Sequence, residues 1–247
     1  MIADYDHAVR TIRSARRVVA LTGAGISVES GIPDFRSPGG LWSHFDPAEY
    51  ATLSCFLHDP EKAWRLYREL GRTLLGREPN PAHFALARMS KAGHLAGIVT
   101  QNVDGLHQRA GNPLVLEMHG EHGRLQCLGC DLLEPFLPAH LEDGPLPRCR
   151  ACGEPLKPNV VLFEESVREM LEVARLLDGC DLLLVVGTSA EVYPAAGLPL
   201  EVLSQGGSLL EFNLAPTRLT GGGLGRVGAL VEGPAGVTLP ILAGRLE

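Results

Sequence analysis

Three apolar runs constrain the fold of this chain more than any other feature. Val18-Val19-Ala20-Leu21, Leu95-Ala96-Gly97-Ile98-Val99 and the run Leu-Leu-Leu-Val-Val after Asp181 contain no polar side chain. Strands of this kind are covered on both faces, which is the habit of a parallel sheet with helices above and below. A fourth strand is expected over Ser208 to Phe212. Each run stops on small or polar residues: Gly23-Ala24-Gly25, Thr100-Gln101-Asn102, Gly187-Thr188-Ser189, and Asn213. In an open α/β sheet the ligand binds beyond the carboxyl ends of the strands. Four such ends therefore point to one shared crevice. Ordinary loops are polar too, but a glycine pair directly after a strand lets backbone N–H groups approach phosphate, and that favours the crevice.

The expected fold class is α/β, a Rossmann-like parallel sheet with helices on both faces. Ala8, Val9, Ile12 and Ala15 recur at helical spacing, so a helix is expected over roughly 4–16. A second falls near 61–75, where Trp64, Tyr67, Leu70 and Leu74 share a face. A third is capped by Asn80, has Pro81 in its first turn and stops at Gly93. The glycine turn lacks the third glycine of a complete GxGxxG. The chain then breaks at Gly31-Ile32-Pro33 and delivers Asp34, Phe35 and Arg36.

A length of 247 residues allows one large domain carrying a smaller module. Apolar residues make up 45% and charged residues 21%, a soluble globular balance. The net charge of −7 argues against nucleic-acid binding, which begins with a basic face. It suits a cationic partner such as a lysine-rich peptide, and equally suits solubility alone. No apolar run approaches the ~18 to 20 residues of a membrane helix. The opening MIADYDHAVRTIRSARR has no secretory apolar core, so a cytoplasmic protein is expected.

Residues 120–158 differ in kind, with four cysteines and many prolines and glycines. Cys127-x-x-Cys130 and Cys149-x-x-Cys152 are 18 residues apart, within the range of a zinc ribbon. Each pair turns two thiolates toward one ion, and two pairs fill a tetrahedral shell. A redox motif needs one pair only, and a reducing compartment disfavours disulfides. Structural zinc is the expected reading, in a module inserted into the α/β domain. Cys55 and Cys180 read as packing residues.

Taken in order, these motifs resemble the sirtuin family of NAD-dependent protein lysine deacylases. The resemblance is carried by Gly23-Ala-Gly-Ile-Ser27, Gly31-Ile-Pro-Asp-Phe-Arg36, Gln101-Asn-Val-Asp104, Leu106-His107 and His119-Gly120. It continues through the two cysteine pairs, Gly187-Thr-Ser189, Val192-Tyr-Pro-Ala-Ala196, Asn213 and Gly233-Pro-Ala-Gly236. It implies a Rossmann-like NAD-binding domain over 1–119 and 159–247, with a helical module at about 40–76 and a structural zinc module over 120–158. NAD would be consumed as co-substrate and zinc would be structural.

By the same resemblance the acyl oxygen of a modified lysine attacks C1′ of the nicotinamide ribose and expels nicotinamide. A histidine acts as general base on the ribose hydroxyls, and the products are free lysine, nicotinamide and O-acyl-ADP-ribose. Among nine histidines the match to the family's His-Gly step selects His119. Asn102 joins it as a catalytic residue. Gly23, Ala24, Gly25, Ser27, Ile32, Pro33, Asp34, Phe35 and Arg36 would bind NAD. Gln101, Asn102 and Asp104 would meet the nicotinamide ribose. Gly187, Thr188, Ser189 and Asn213 would hold the adenosine half, with Ala235 beside the adenine. Tyr67, Val161, Phe163 and Glu164 would contact the acyl-lysine substrate. The implied partners are acylated lysine-containing proteins, with no direct nucleic acid and no membrane.

Two departures bear on substrate. Where the family strand reads VVxFGE, this chain has Val160-Val-Leu-Phe-Glu164-Glu165. Glu164 in the glycine's place is expected to favour basic residues near the target lysine. Sirtuins that remove succinyl or malonyl groups carry Tyr-x-x-Arg, but here Tyr67 is followed by Leu70. Arg68 lies roughly 100° around the helix. A carboxylated acyl group would then lack a partner, so neutral acyl groups, acetyl or longer, are expected. The C-terminal Glu211-Phe212-Asn213 and Gly233–Gly236 stretches resemble the desuccinylase branch and favour the opposite preference. Protein ADP-ribosyl transfer, a nicotinamide dehydrogenase and a non-enzymatic zinc or NAD-binding module are the rival functions. A dehydrogenase needs an acidic residue about 20 positions beyond the glycine turn. Asp46 falls there, where no strand is evident.

Overall fold

The computed structural model describes residues 5–34, 40–221 and 227–247. Phe35 and Arg36 lie outside the described residues. Helix α1 (Tyr5–Ser14) leads into β1 (Val18–Thr22) and a 3-10 helix over Ala24–Ser30. Three helices follow, α2 (Pro47–Tyr50), α3 (Leu53–His58) and α4 (Pro60–Leu74), and then α5 (Pro81–Lys91). Next come β2 (Gly97–Thr100), α6 (Leu106–Arg109), β3 (Val115–Glu117) and β4 (Gly120–Cys127). Strands β5 (Leu133–Pro135) and β6 (Leu156–Val160) precede α7 (Met170–Leu177) and β7 (Leu182–Val186). The last elements are α8 (Leu198–Ser204), β8 (Ser208–Asn213), α9 (Arg218–Gly221), β9 (Val227–Glu232) and α10 (Ala235–Leu246).

Six strands form one parallel sheet in the order β3-β2-β1-β7-β8-β9. The apolar runs form its centre, and every residue of β1, β2 and β7 is buried. Helices α1, α5 and α10 cover one face, where Ile12, Leu86, Leu184, Phe212 and Leu239 pack together. Helices α7 and α8 cover the other, with Leu21, Val173, Leu183 and Val202. Each fully buried leucine here contributes roughly 1.5–3 kcal/mol of transfer free energy. From β1 the chain steps outward to β2 and β3, then returns to β7 on the opposite side. The order therefore reverses between β1 and β7, which opens a crevice at their carboxyl ends.

A second sheet, antiparallel in the order β5-β4-β6, carries the cysteines. The sequence shows no strand periodicity at β4, because its pairing with β6 shifts register between Gly120 and Leu125 and breaks the period-two pattern. Helix α4 starts where Asp59 accepts a hydrogen bond from Lys62 N at 3.0 Å and Pro60 opens the first turn. Its buried face does not pack on the main sheet. Ala63, Trp64 and Tyr67 share a cluster with Leu125, Cys127, Cys149 and Leu156. Trp64 Nε1 donates to Leu156 O at 2.8 Å. The helical segment and the cysteine-bearing sheet thus have one common core.

Candidate active site

The crevice begins with glycines meeting glycines. Gly25 N donates to Gly187 O at 2.8 Å, and Gly23 N to Val186 O at 3.0 Å. A Cβ on Gly25 would come 2.7 Å from Gly187 Cα, and one on Gly23 would come 2.7 Å from Thr188 Cβ. The loops after β1 and β7 therefore cross backbone to backbone, a second demand for glycine beyond phosphate approach. The element after Gly23 is a 3-10 helix, ended by Gly31 at φ 78°. Ile32 is buried behind it, Pro33 is exposed and Asp34 half-buried.

The polar strand ends form two connected strings of hydrogen bonds. In the first, Ser27 Oγ donates to Asp104 Oδ2 at 2.7 Å, and Asn102 Nδ2 donates to Ser27 Oγ at 3.1 Å and to Gly23 O at 3.2 Å. In the second, Gln101 Nε2 donates to Thr188 Oγ1 at 3.0 Å and Asn213 Nδ2 to Thr188 O at 3.2 Å. Ser27, Asn102 and Thr188 are buried, so the strings fix their own members as well as the strand ends.

His119 stands just before β4 with its Nδ1 2.9 Å from Gln101 O. A carbonyl can only accept, so Nδ1 carries the proton and Nε2 keeps its lone pair. Burial lowers the His119 pKa below its ordinary 6.5, opposed by the bond to Gln101 O. The imidazole is thus a neutral base of fixed tautomer near pH 7. Two other histidines, His83 and His107, lie buried behind the strand ends, their rings 4.9 Å apart. Desolvation depresses them to about 4 and about 3. His107 Nε2 sits 2.9 Å from Thr22 Oγ1, in the layer beneath the crevice.

One cleft of about 900 Å³ joins these parts. Gly23, Ala24, Gly25, Asp34, Gln101, Asn102 and His119 line it, with Gly187, Thr188, Ser189, Asn213 and Ala235. So do Tyr67, Val161, Phe163 and Glu164. Ser27, Asp104, Ile32 and Pro33 do not line it; Ser27 and Asp104 support Asn102 from behind. The sequence reading missed Leu41, Trp42, Ala51, Leu66 and Val103 in the wall. Leu41, Trp42, Ala51 and Leu66 are apolar residues of the helical segment and carry no motif; Val103 lies within the Gln101–Asp104 motif but has no polar group to mark it.

The edge beside His119 is made by the segment after β6. Val161 N donates to His119 O at 2.8 Å, Phe163 N donates to Ala51 O at 2.9 Å, and Leu53 N to Phe163 O at 3.0 Å. Glu164 keeps a glycine-like φ of 78°, which costs on the order of 1 kcal/mol for a side-chain-bearing residue. Its Oε2 accepts from Ser54 N at 2.8 Å and Ser54 Oγ at 2.6 Å, offsetting that strain. Tyr67 is both core and wall: its ring packs edge-on to Trp64 at 5.7 Å, and its buried hydroxyl has no protein partner. Burial raises the phenol far above its ordinary range, so it stays a neutral O–H. Arg68 turns away from the cleft, with Nη2 on Gly144 O at 2.9 Å.

The four cysteine sulfurs lie within 4.8 Å of one another. Adjacent sulfurs are 3.4 Å (Cys127–Cys152), 3.5 Å (Cys130–Cys149) and 3.7 Å (Cys130–Cys152) apart. Zn–S bonds of about 2.3 Å in a tetrahedron demand edges of about 3.8 Å, so the cluster fits a structural zinc ion with no open position. A disulfide needs about 2.05 Å.

A family profile described as the Sir2 family matches residues 23–194. The chain belongs to the Sir2 family. The NAD-dependent protein deacetylase of Caldivirga maquilingensis is 48% identical over 212 residues, 83% of this chain and 81% of that relative. The NAD-dependent protein deacylase of Thermococcus kodakarensis is 41% identical over 248 residues, 98% and 95% of the two chains. A solved Sir2 homolog–NAD complex superposes with TM-score 0.88 at 38% identity, covering 98% of this chain and 93% of that one. A Sir2–p53 peptide–NAD+ complex does so with TM-score 0.84 at 32% identity, covering 98% and 97%. Asp46 is not at a strand end, where a dehydrogenase would need its acidic residue: in this Sir2 chain it caps α2 by accepting from Ala48 N at 2.9 Å. Among the described residues of the Sir2 chain, no helix is long and apolar enough to cross a membrane.

Proposed function

We propose that this chain removes acyl groups from lysine side chains of proteins, consuming NAD and one water molecule and releasing nicotinamide and O-acyl-ADP-ribose. The observation that carries the reading is His119. It is a neutral imidazole of fixed tautomer, standing where the glycine crevice meets the Val161–Phe163 edge. Bound NAD supplies the acceptor sugar and its leaving group. The backbone of Gly23, Ala24 and Gly25 would receive the pyrophosphate with Asp34 beside it; Phe35 and Arg36, outside the described residues, would complete the cofactor contacts, and Ile32 and Pro33 would support that turn without lining the cleft. Thr188, Ser189, Asn213, Gly187 and Ala235 would hold the adenosine half. Asn102, braced by Ser27 and Asp104, would meet the nicotinamide ribose beside Gln101, and His119 Nε2 would take the ribose hydroxyl proton. Cys127, Cys130, Cys149 and Cys152 would hold the zinc.

The same reading divides the chain into an NAD-binding body, 1–119 and 159–247, with the helical module at 40–76, and a zinc module, 120–158. It assigns the protein to the cytoplasm. Acylated protein substrates would lie along Val161 and Phe163, with the lysine tunnel closed by Tyr67.

Among the described residues no lysine or arginine lines the cleft, whereas Glu29, Asp34, Glu164 and Glu165 do. Leu66 and Leu70 flank Tyr67 in its wall. A desolvated carboxylate without a partner costs several kcal/mol, on the order of the Born penalty after relaxation. Neutral acyl groups are therefore preferred over succinyl. The test is one peptide in acetyl, butyryl, succinyl and unmodified forms, with and without NAD, read by mass. Acetyl or butyryl loss that needs NAD and vanishes in His119→Ala supports the function. Faster turnover of the succinyl peptide refutes the acyl preference, and gain of ADP-ribose on the peptide refutes the reaction.

A further inference from the structure

Among the described residues Lys157 is the only buried cation. It lies in β6, whose five residues are all buried, and its side chain is wholly removed from solvent. An ammonium has three donors and no acceptor, and in a dry site each donor needs a partner. Here each has one. Nζ donates to Glu165 Oε2 at 3.0 Å, to Val160 O at 2.6 Å and to Pro158 O at 3.3 Å. Glu165 Oε2 also accepts from Leu162 N at 2.8 Å. Residues 158–165 are thereby drawn into a ring around one nitrogen.

The ring connects two parts of the molecule. On one side β6 pairs with β4, Leu156 opposite Cys127 and Lys157 opposite Gln126. On the other, the ring carries Val161, bonded to His119 O, and Phe163, bonded to Ala51 and Leu53. Lys157 itself does not line the cleft. We infer that Lys157 is a positioning residue for the acyl-lysine reaction: its buried ammonium holds residues 158–165 in the geometry that receives the substrate backbone, without touching substrate. The inference rests on the reading of Val161 and Phe163 as the substrate edge. The NAD-facing strand ends of β1, β7 and β8 take no bond from Lys157, so peptide and NAD should respond differently to its loss.

Lys157→Met keeps much of the length and removes the charge. The expected result is a peptide KM raised about tenfold or more, with the NAD KM within about twofold of wild type. Zinc content should be unchanged. Lys157→Arg, which keeps a cation with more donors, should bring the peptide KM most of the way back. Amide exchange provides a readout independent of turnover: Val161 and Phe163 should exchange faster in Lys157→Met, while Val185 in the main sheet should not. If Lys157→Met fails to fold, Glu165→Gln replaces it and is read by amide exchange at Val161 and Phe163, which should quicken, because Glu165 itself lines the cleft and its KM alone would not separate the two roles. Parallel changes in both KM values, or unchanged exchange at Val161 and Phe163, would overturn the inference. Absence of any NAD-dependent turnover in wild type would instead refute the proposed function, and the exchange experiment would still decide the role of Lys157.

Discussion

The bond from His119 Nδ1 to Gln101 O does two things at once: it chooses the tautomer and it opposes the burial that lowers the ring's pKa. The base form is the neutral one, and its folded pKa lies below 6.5. The rate should therefore be flat through neutrality and fall only as pH drops through a value under 6.5, about tenfold per unit at the steep limit. A kcat/KM profile on an acetyl peptide checks this, and a half-point at or above 6.5 would contradict it. The Glu164 side chain was the sequence's most evident oddity. Its Oε2 is held by Ser54 while the group stays at the cleft edge. Peptides with arginine beside the acyl-lysine should be preferred over neutral ones by about two- to fivefold, as one exposed charge allows. That ratio should fall to about one in Glu164→Gly, a change that also suits the φ of 78°. Equal kcat/KM for both peptides in wild type would end the idea.

At the scale of elements, zinc and helix α4 depend on one another. Cys127 and Cys149 belong to the same cluster as Trp64 and Tyr67, so loosening the metal site disturbs the wall of the cleft. Stripping zinc with a chelator, or Cys149→Ser, should lower the thermal midpoint and abolish peptide turnover. Restored turnover on adding zinc back to the chelated protein checks the link; full activity in metal-free protein would break it. The central strands were legible because burial on both faces writes itself as unbroken apolar runs, and α5 because Asn80 and Pro81 mark its start. Strand β4 was not legible, since a register shift scrambles its alternation. Helix α10 was hidden by Pro240 in its interior, which ordinarily argues against a helix. The candidate site divides in the same way. Glycines and polar strand ends announce themselves, whereas Leu41, Trp42 and Lys157 gain meaning only from what folds against them.

For the molecule as a whole, acid should be the weak point. His83 and His107 are held neutral by burial at about 4 and about 3, against an unfolded value of 6.5. Folded values below the unfolded one mean that the unfolded chain binds more protons as pH falls. Their contribution is complete above 6.5 and is lost progressively between 6.5 and about 3, by about 1.4 kcal/mol per pH unit for each extra proton. Urea midpoints should be level from pH 8 to 7 and drop between roughly 6 and 5, and His107→Gln should flatten the drop. His122, also depressed to about 4 by burial, adds to the loss, while Glu117, pushed up to about 7 by burial, opposes it in the same window; a drop unaltered in His107→Gln would show that this ring is not held neutral. The most direct test of the whole account joins cofactor to substrate. Purified chain is incubated with NAD and an acetyl-lysine peptide, and nicotinamide, free lysine peptide and O-acetyl-ADP-ribose are quantified together. The three should appear in equal amounts; none should form when the peptide carries unmodified lysine, and neither free lysine peptide nor O-acetyl-ADP-ribose should form when His119 is alanine. Deacetylated peptide without nicotinamide release, or no product of any kind, would contradict the account.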